Sequence, residues 1–143
     1  MRTVVCDASV VLKWYLPDEG LGAQAIGILE RYLADEVDII APALLEYEII
    51  NALIMAARRG RIEDAAIHEA LEGFSGLGIS LLPVTDLYRD ICEFCRKHGH
   101  TAYDASYLAL AVARGADLIT ADQRFYNSVK ISMPCVHWLG NAD

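Results

Sequence analysis

Short, continuously apolar runs alternate along the chain with longer segments in which apolar residues recur every three or four positions. The short runs are typical of strands buried on both faces of a parallel sheet, and we predict them at residues 3–6, 38–41, 79–82, 118–121 and 135–138. The longer segments are typical of helices, and we predict them at residues 22–34, 44–59, 63–74, 86–97 and 103–114, with a short helix after residue 121. Strands that alternate with helices predict an α/β fold with a mostly parallel central sheet flanked by helices.

Chain length and apolar content favour one domain and argue against a membrane span. The 143 residues are 55% hydrophobic, and a chain of this size buries a core without disulfides or a structural metal. The longest nearly apolar stretch, at residues 49–57, is interrupted by Asn51 and falls well short of the roughly 20 residues that a transmembrane helix needs. Asp7 ends the first apolar run before it reaches the length of a signal-peptide core. We therefore expect one domain over residues 1–143 that works in the cytoplasm without membrane contact.

The charge balance excludes one class of nucleic-acid-binding protein. Twelve Lys and Arg residues stand against twenty Asp and Glu residues, for a net charge of -8. A protein that coats nucleic acid passively would attract phosphates through a basic surface. The balance leaves open an enzyme that meets phosphates through metal ions held by its own carboxylates.

Cysteine and histidine residues form no complete metal or redox motif. Cys92 and Cys95 have the spacing of half a zinc site, but no second pair completes it. Both lie within a helical pattern, so we expect them to be buried free thiols. His98 and His100 follow that pattern, and we expect both in a loop, with metal binding the less favoured alternative.

Two acids stand directly after predicted strands. Asp7 follows the first strand and Asp122 follows the fourth. Each has a structural explanation as a helix N-cap. Ligands of open parallel sheets, however, bind outside the carboxyl ends of the strands, so the two together favour a shared pocket.

Helical spacing brings a further acid to the sheet. Residues 101–104 fit a capping box, which is a sufficient structural role for Asp104. The same spacing places Asp104 above Leu108 and Ala111, on the apolar face that must meet the sheet. A partly buried carboxylate is costly unless it is compensated, and a cation would compensate it.

The long predicted helix offers Glu46 and Glu48, which helical geometry directs to nearly opposite sides. Periodicity alone does not choose between them. This helix is apolar nearly all round, which indicates a packing surface beyond the sheet. A homodimer interface and a helix enclosed within the domain both remain open.

Four ordered segments carry a resemblance to a known family. They are VCDAS at residues 5–9, PALLEYEIINAL at residues 42–53, YDASY at residues 103–107 and LITAD at residues 118–122. In this order the sequence resembles the PIN-domain family, and within it the VapC-type toxins of bacterial and archaeal toxin–antitoxin pairs. In the family's second motif the acid precedes a hydrophobic residue and Asn-Ala-Leu, which assigns the role to Glu48 and leaves Glu46 outside the site.

The resemblance implies an endoribonuclease that depends on Mg²⁺ or Mn²⁺, with a cognate VapB-like antitoxin whose C-terminal segment covers the acidic cleft. Its catalytic and metal-binding residues would be Asp7, Glu48, Asp104 and Asp122. The residue chemistry agrees, because two like charges ~4 Å apart repel by about 4 kcal/mol at an effective dielectric constant of 20, and carboxylate oxygens favour Mg²⁺ or Mn²⁺ over zinc.

Asp7 and Asp104 are expected as the primary ligands, with Glu48 and Asp122 completing the set directly or through water. Ser9 and Thr120 are candidates to support them by hydrogen bonding, although ordinary turn and strand roles explain both equally well.

Two other function classes stay open. A metal-dependent phosphohydrolase of the haloacid dehalogenase type needs a second Asp two residues after its nucleophile, and Ser9 stands there. A catalytically inactive PIN-like or receiver-like binding domain is the non-enzymatic alternative.

Overall fold

Five parallel strands form the central sheet of the computed structural model, which describes residues 1–16 and 20–141. Their order across the sheet is β3-β2-β1-β4-β5. The strands are β1 (Arg2–Cys6), β2 (Val37–Pro42), β3 (Ser80–Leu82), β4 (Asp117–Thr120) and β5 (Val136–Trp138). The predicted α/β fold with a mostly parallel sheet is confirmed, and each predicted strand lies within one or two residues of its observed position.

Helices cover both faces of this sheet. Within the described residues they are α1 (Ala8–Val11), α2 (Gly22–Leu33), α3 (Leu45–Arg58), α4 (Asp64–Gly76), α5 (Tyr88–His98), α6 (Ala102–Arg114) and α7 (Gln123–Val129). Short 3-10 turns lie at Leu12–Trp14, Thr85–Leu87 and Leu139–Asn141. None of the helices in the described part of the chain has the length and apolar character needed to cross a bilayer.

Helix α6 is the most deeply buried helix against the sheet, with residues 105–111 all buried. It packs on β1, β2 and β4, and its alanines allow that close approach. Gly115, in the left-handed region at φ 60°, ends the helix and leads directly into β4. The C-terminus of α6 therefore lies at the amino ends of the strands, and its N-terminus, with Asp104, lies at their carboxyl ends.

The sheet reverses its strand order between β1 and β4, which creates a switch point of the kind where open α/β sheets bind ligands. Cys6 pairs with Ile119 across these two strands, and the Asp7 N–H donates to the Ile119 carbonyl at 3.3 Å. Helix α3 begins shortly after β2 ends. Its first turn, which contains Glu48, therefore lies at the same edge of the sheet.

The predicted burial of two cysteines is wrong. All four cysteines are free thiols, as expected, but Cys92 is exposed and Cys95 is only partly buried. Helix α5 lies at the surface and fully buries only Ile91. His98 is the last residue of this helix and not a loop residue, whereas His100 lies in the loop before α6.

Candidate active site

The end of β1 places Asp7 at the centre of a hydrogen-bonded turn. Its backbone carbonyl accepts from the N–H groups of Val10 at 3.1 Å and Val11 at 3.2 Å, which starts α1. Its side chain makes no capping bond to that helix; instead the Ser9 hydroxyl donates to Asp7 Oδ1. The Val10 N–H nonetheless favours the charged form of this carboxylate, so Asp7 combines its bond from Ser9 with a weaker interaction at the start of α1.

Two hydroxyls join the ends of β1 and β4. Ser9 Oγ accepts from the Ala121 N–H at 2.8 Å and lies 3.4 Å from Thr120 Oγ1. The buried Thr120 Oγ1 accepts from the Asp122 N–H at 3.0 Å. Both hydroxyls also favour the charged form of Asp7. Ser9 and Thr120 thus hold the two strand-end acids in one network.

Asp122 caps α7 through one oxygen. Its Oδ1 accepts from the Phe125 N–H at 3.0 Å, so the structural role considered for this residue is real. The side chain is nonetheless exposed, and its charge reaches Asp104. Capping engages one carboxylate oxygen and leaves Oδ2 without a hydrogen bond inside the described residues.

Asp104 enters the site from the first turn of α6. Thr101 Oγ1 accepts from the Asp104 N–H at 3.2 Å, so Thr101 is the N-cap and the Asp104 backbone completes that bond. The Asp104 side chain is partly buried, as its position above the apolar face predicted. Burial and the Asp122 charge raise the pKa of Asp104, while the nearby His100 opposes this rise.

Tyr107 holds Glu48 over α6. The Tyr107 hydroxyl donates to Glu48 Oε1 at 2.6 Å, and the tyrosine itself is 2% exposed. Tyr107 stands three residues after Asp104, a spacing that places both on one side of the helix. Tyr107 lies in the YDASY segment, but we had predicted no role for it. The available signal was that a buried tyrosine hydroxyl usually needs a hydrogen-bond partner.

Glu46 lies elsewhere. It is exposed and lines an apolar groove of about 280 Å³ between α3, α4 and β3, together with Ile49, Leu71 and Phe74. The opposite orientation of Glu46 and Glu48, predicted from helical geometry, is confirmed.

Asp104 links the four carboxylates electrostatically. Burial raises the pKa of Asp7 to about 6, and the Asp104 charge contributes to that rise. Burial and the Asp104 charge also raise the pKa of Glu48, against the stabilising bond from Tyr107. Asp104 in turn is affected by Asp122. Acids from four separate elements therefore share one electrostatic environment.

The donor set fits a hard divalent cation in its chemistry. All four side chains offer carboxylate oxygens, the ligands preferred by Mg²⁺ and Mn²⁺, and their mutual repulsion is the kind that a cation relieves. Among the described residues, however, no three His, Cys, Asp or Glu side chains stand close enough together to hold a metal as they are. The carboxylates would therefore have to draw closer around a bound ion.

A cleft of about 440 Å³ opens on Asp104 and Asp122. His98, His100 and Arg124 also line it; the sequence offers metal binding only as a less favoured alternative for the two histidines and indicates no role for Arg124. These three residues come from the end of α5, the loop after it and α7. No single segment of the sequence therefore contains all of them.

Comparisons of the sequence with a family model and with individual proteins point to the same family. The PIN domain family model matches residues 4–130. The chain is 34% identical over 125 residues to Ribonuclease VapC3 of Pyrobaculum aerophilum, covering 85% of this chain and 90% of that protein. It is also 34% identical over 131 residues to Ribonuclease VapC9 of Mycobacterium tuberculosis, covering 92% and 94% of the two chains.

Solved structures share the fold. PAE2754 from Pyrobaculum aerophilum superposes with a TM-score of 0.69 at 24% identity, covering 97% of this chain and 92% of that one. A toxin–antitoxin complex from Klebsiella pneumoniae gives a TM-score of 0.66 at 15% identity, covering 94% and 95%. At these identities the structural likeness speaks for the fold alone. The family model and the sequence relatives, each spanning most of the chain, show that this protein belongs to the PIN-domain family and to its VapC group.

Proposed function

We propose that the protein is an endoribonuclease of the VapC type, which uses Mg²⁺ or Mn²⁺ to hydrolyse phosphodiester bonds in RNA. The observation that carries this proposal is the placement of Asp7, Glu48, Asp104 and Asp122 at the carboxyl edge of the sheet, where Ser9 and Tyr107 donate hydrogen bonds to two of them. Relatives at 34% identity are named VapC ribonucleases, which supports the same activity. Residues 1–143 act in this proposal as one nuclease domain.

The four acids have different roles in binding the metal. Asp7 and Asp104 are the principal ligands, and Glu48 and Asp122 complete the set directly or through water. A divalent cation held there supplies polarisation of the scissile phosphate and a lower pKa for the attacking water.

Neighbouring side chains fix the ligands. The Ser9 hydroxyl orients Asp7 Oδ1, and Tyr107 orients Glu48 Oε1. With a pKa of about 6 before metal binding, Asp7 must give up any bound proton when it becomes a ligand. Metal binding is therefore coupled to proton release from this carboxyl.

The proposed partner is a VapB-like antitoxin. One structural neighbour is a toxin–antitoxin complex, and the acidic cleft suits a basic side chain. An Arg or Lys from the antitoxin tail, placed among the four acids, substitutes for the metal charge. The proposal also includes a homodimer, for which the partly exposed apolar residues Ile50 and Ile54 of α3 offer a contact surface, and a cytoplasmic location.

The direct test is cleavage of total RNA by the purified chain, with Mg²⁺ or with EDTA. Cleavage is expected in Mg²⁺ and not in EDTA. Asp104→Asn, purified in the same way, is the control for contaminating nuclease, and it should be inactive because a neutral amide is a poor Mg²⁺ ligand. Robust cleavage in EDTA, or full activity of Asp104→Asn, would overturn the proposal.

The same preparation separates the alternatives. Hydrolysis of a small phosphate monoester with RNA left intact would identify a phosphohydrolase instead. Binding of RNA without hydrolysis of either substrate would identify an inactive PIN-like binding domain.

A further inference from the structure

Four rings, Phe94, His98, His100 and Phe125, lie one after another beside the acids, and we refer to them as the ring stack. The first three are stacked, and Phe125 is tilted 53° from the His100 ring. Ring centroids are 6.4 Å apart for Phe94 and His98, 5.8 Å for the two histidines, and 4.9 Å for His100 and Phe125. Gly99, at φ 70°, allows the chain to turn between the histidines, whose rings lie 26° from parallel. The stack joins the end of α5 to the start of α7.

Hydrogen bonding fixes the orientation of His100. Ser128 Oγ lies 3.1 Å from His100 Nε2 and donates its own hydrogen to the Phe125 carbonyl at 2.6 Å. A hydroxyl has a single hydrogen, so the serine oxygen accepts and His100 Nε2 is the donor. Inside the described residues the other ring nitrogen, Nδ1, makes no hydrogen bond, which leaves it available to a ligand.

Three rings of the stack face the same cleft as two of the acids. The cleft of about 440 Å³ is lined by His98, His100, Arg124, Phe125, Asp104 and Asp122, and its size lies within the range of ligand pockets. His98 Nε2 is buried and has no hydrogen-bond partner among the described residues.

The lining of the cleft favours a nucleotide over an ion alone, because it combines rings, a guanidinium and carboxylates. Aromatic and imidazole rings stack on RNA bases, and arginine binds phosphate. The chain has a net charge of -8, so a negatively charged RNA needs local contacts to bind. The rings and the guanidinium beside the acids can provide these contacts.

We propose that His100, held in place by the ring stack and Ser128, and the exposed Arg124 beside it form a nucleotide subsite for RNA next to the catalytic acids. The His100 ring contacts a base, and the Arg124 guanidinium contacts a phosphate of the nucleotide flanking the scissile bond. This inference rests on the proposed ribonuclease function, for which it supplies the residues that position the substrate.

The test uses the full chain and a short fluorescein-labelled RNA of randomised sequence. In His100→Gln the amide nitrogen takes the place of Nε2 toward Ser128 but the ring is lost, and Arg124→Gln removes one exposed charge. Each change is expected to raise KM for cleavage in Mg²⁺ roughly 5- to 30-fold. The Kd of the RNA, measured by anisotropy in an Asp7→Asn background, should rise by the same factor, with kcat and melting temperature little changed.

Matched controls are His68→Gln, on the exposed side of α4, and Arg114→Gln, at the opposite end of α6. Both should bind RNA like the wild type. Unchanged KM and Kd in both subsite variants, while the wild type cleaves RNA, would overturn the subsite and leave the proposed function standing. The same would follow if the controls lost affinity equally. A wild type that cleaves no RNA yet binds it through His100 and Arg124 would overturn the proposed function and support the subsite.

Discussion

The Asp7 carboxyl group shows how the site lowers the stability of the fold when no metal is bound. Asp7 is retained at the end of a buried strand, where burial and the Asp104 charge disfavour its ionised form. The hydroxyls of Ser9 and Thr120 offset part of that cost. The residue is therefore poised for a cation, and its protonation reports on whether one is present.

This predicts the sign of a pH effect. The pKa of Asp7 in the folded chain is about 6, raised from 3.8, so the native state binds the proton more tightly and its stability falls as pH rises through this interval. In EDTA at pH 7.5, Asp7→Asn should match or exceed the wild type, by up to about 1–3 kcal/mol. The difference should shrink at pH 5, where the wild-type carboxyl is protonated. Thermal unfolding at both pH values measures it, and a difference that grows toward low pH would refute the assignment.

Tyr107 allows a second prediction at the residue scale. Tyr107→Phe leaves a partly buried Glu48 oxygen without its donor, which should cost about 1–3 kcal/mol of stability in EDTA. Loss of that bond also removes the interaction that lowers the pKa of Glu48. Mg²⁺ binding, followed as the rise in melting temperature, should be weakened relative to the wild type, and more so at the lower of two pH values. An unchanged Mg²⁺ response at both pH values would show that Tyr107 does not act through Glu48.

At the scale of elements, small residues set how closely α6 approaches its neighbours. Ala105 and Ala109 are buried with Ile91 of α5 in a small cluster that packs α5 against α6. This packing brings the end of α5, with His98, to the same edge of the sheet as Asp104.

Enlarging this contact should be costly. Ala109→Leu is expected to destabilise the fold by about 1–3 kcal/mol, because a well-packed contact has no room for three added carbons. Val112→Leu, two turns from Asp104 on the exposed side of α6, should stay within about 0.5 kcal/mol. Denaturant unfolding of both variants measures this, and equal effects would show that the α5–α6 contact is loose.

Most elements were predictable because each strand and long helix has its own periodicity. Helix α1 is too short to show such periodicity, since it spans four residues and is initiated by the backbone of Asp7. The predicted burial of Cys92 and Cys95 was wrong because α5 fully buries only Ile91, so its apolar side is too narrow to include both cysteines. Pairing of residues distant in sequence, such as Tyr107 with Glu48 or His100 with Ser128, depends on how elements pack and leaves no local pattern.

The molecule as a whole carries an excess of acids, and its proposed substrate, RNA, is also negatively charged. The two can bind only if positive charge is concentrated at the cleft. A net charge of -8 repels RNA at long range. In the proposed function, RNA binding comes from a cation among the four acids and from the rings and guanidinium beside them. The same proposal makes the cleft the target of a basic antitoxin segment.

The most direct measurement of the central claim compares two glutamates on one helix. RNA cleavage is measured in saturating Mg²⁺ for Glu48→Gln and Glu46→Gln, with melting temperatures in EDTA to confirm that both fold. Glu48→Gln should lose about 100-fold in activity, as expected for a residue that holds the metal, while Glu46→Gln should match the wild type. Full activity in Glu48→Gln, or an equal loss in both variants at unchanged stability, would contradict the account.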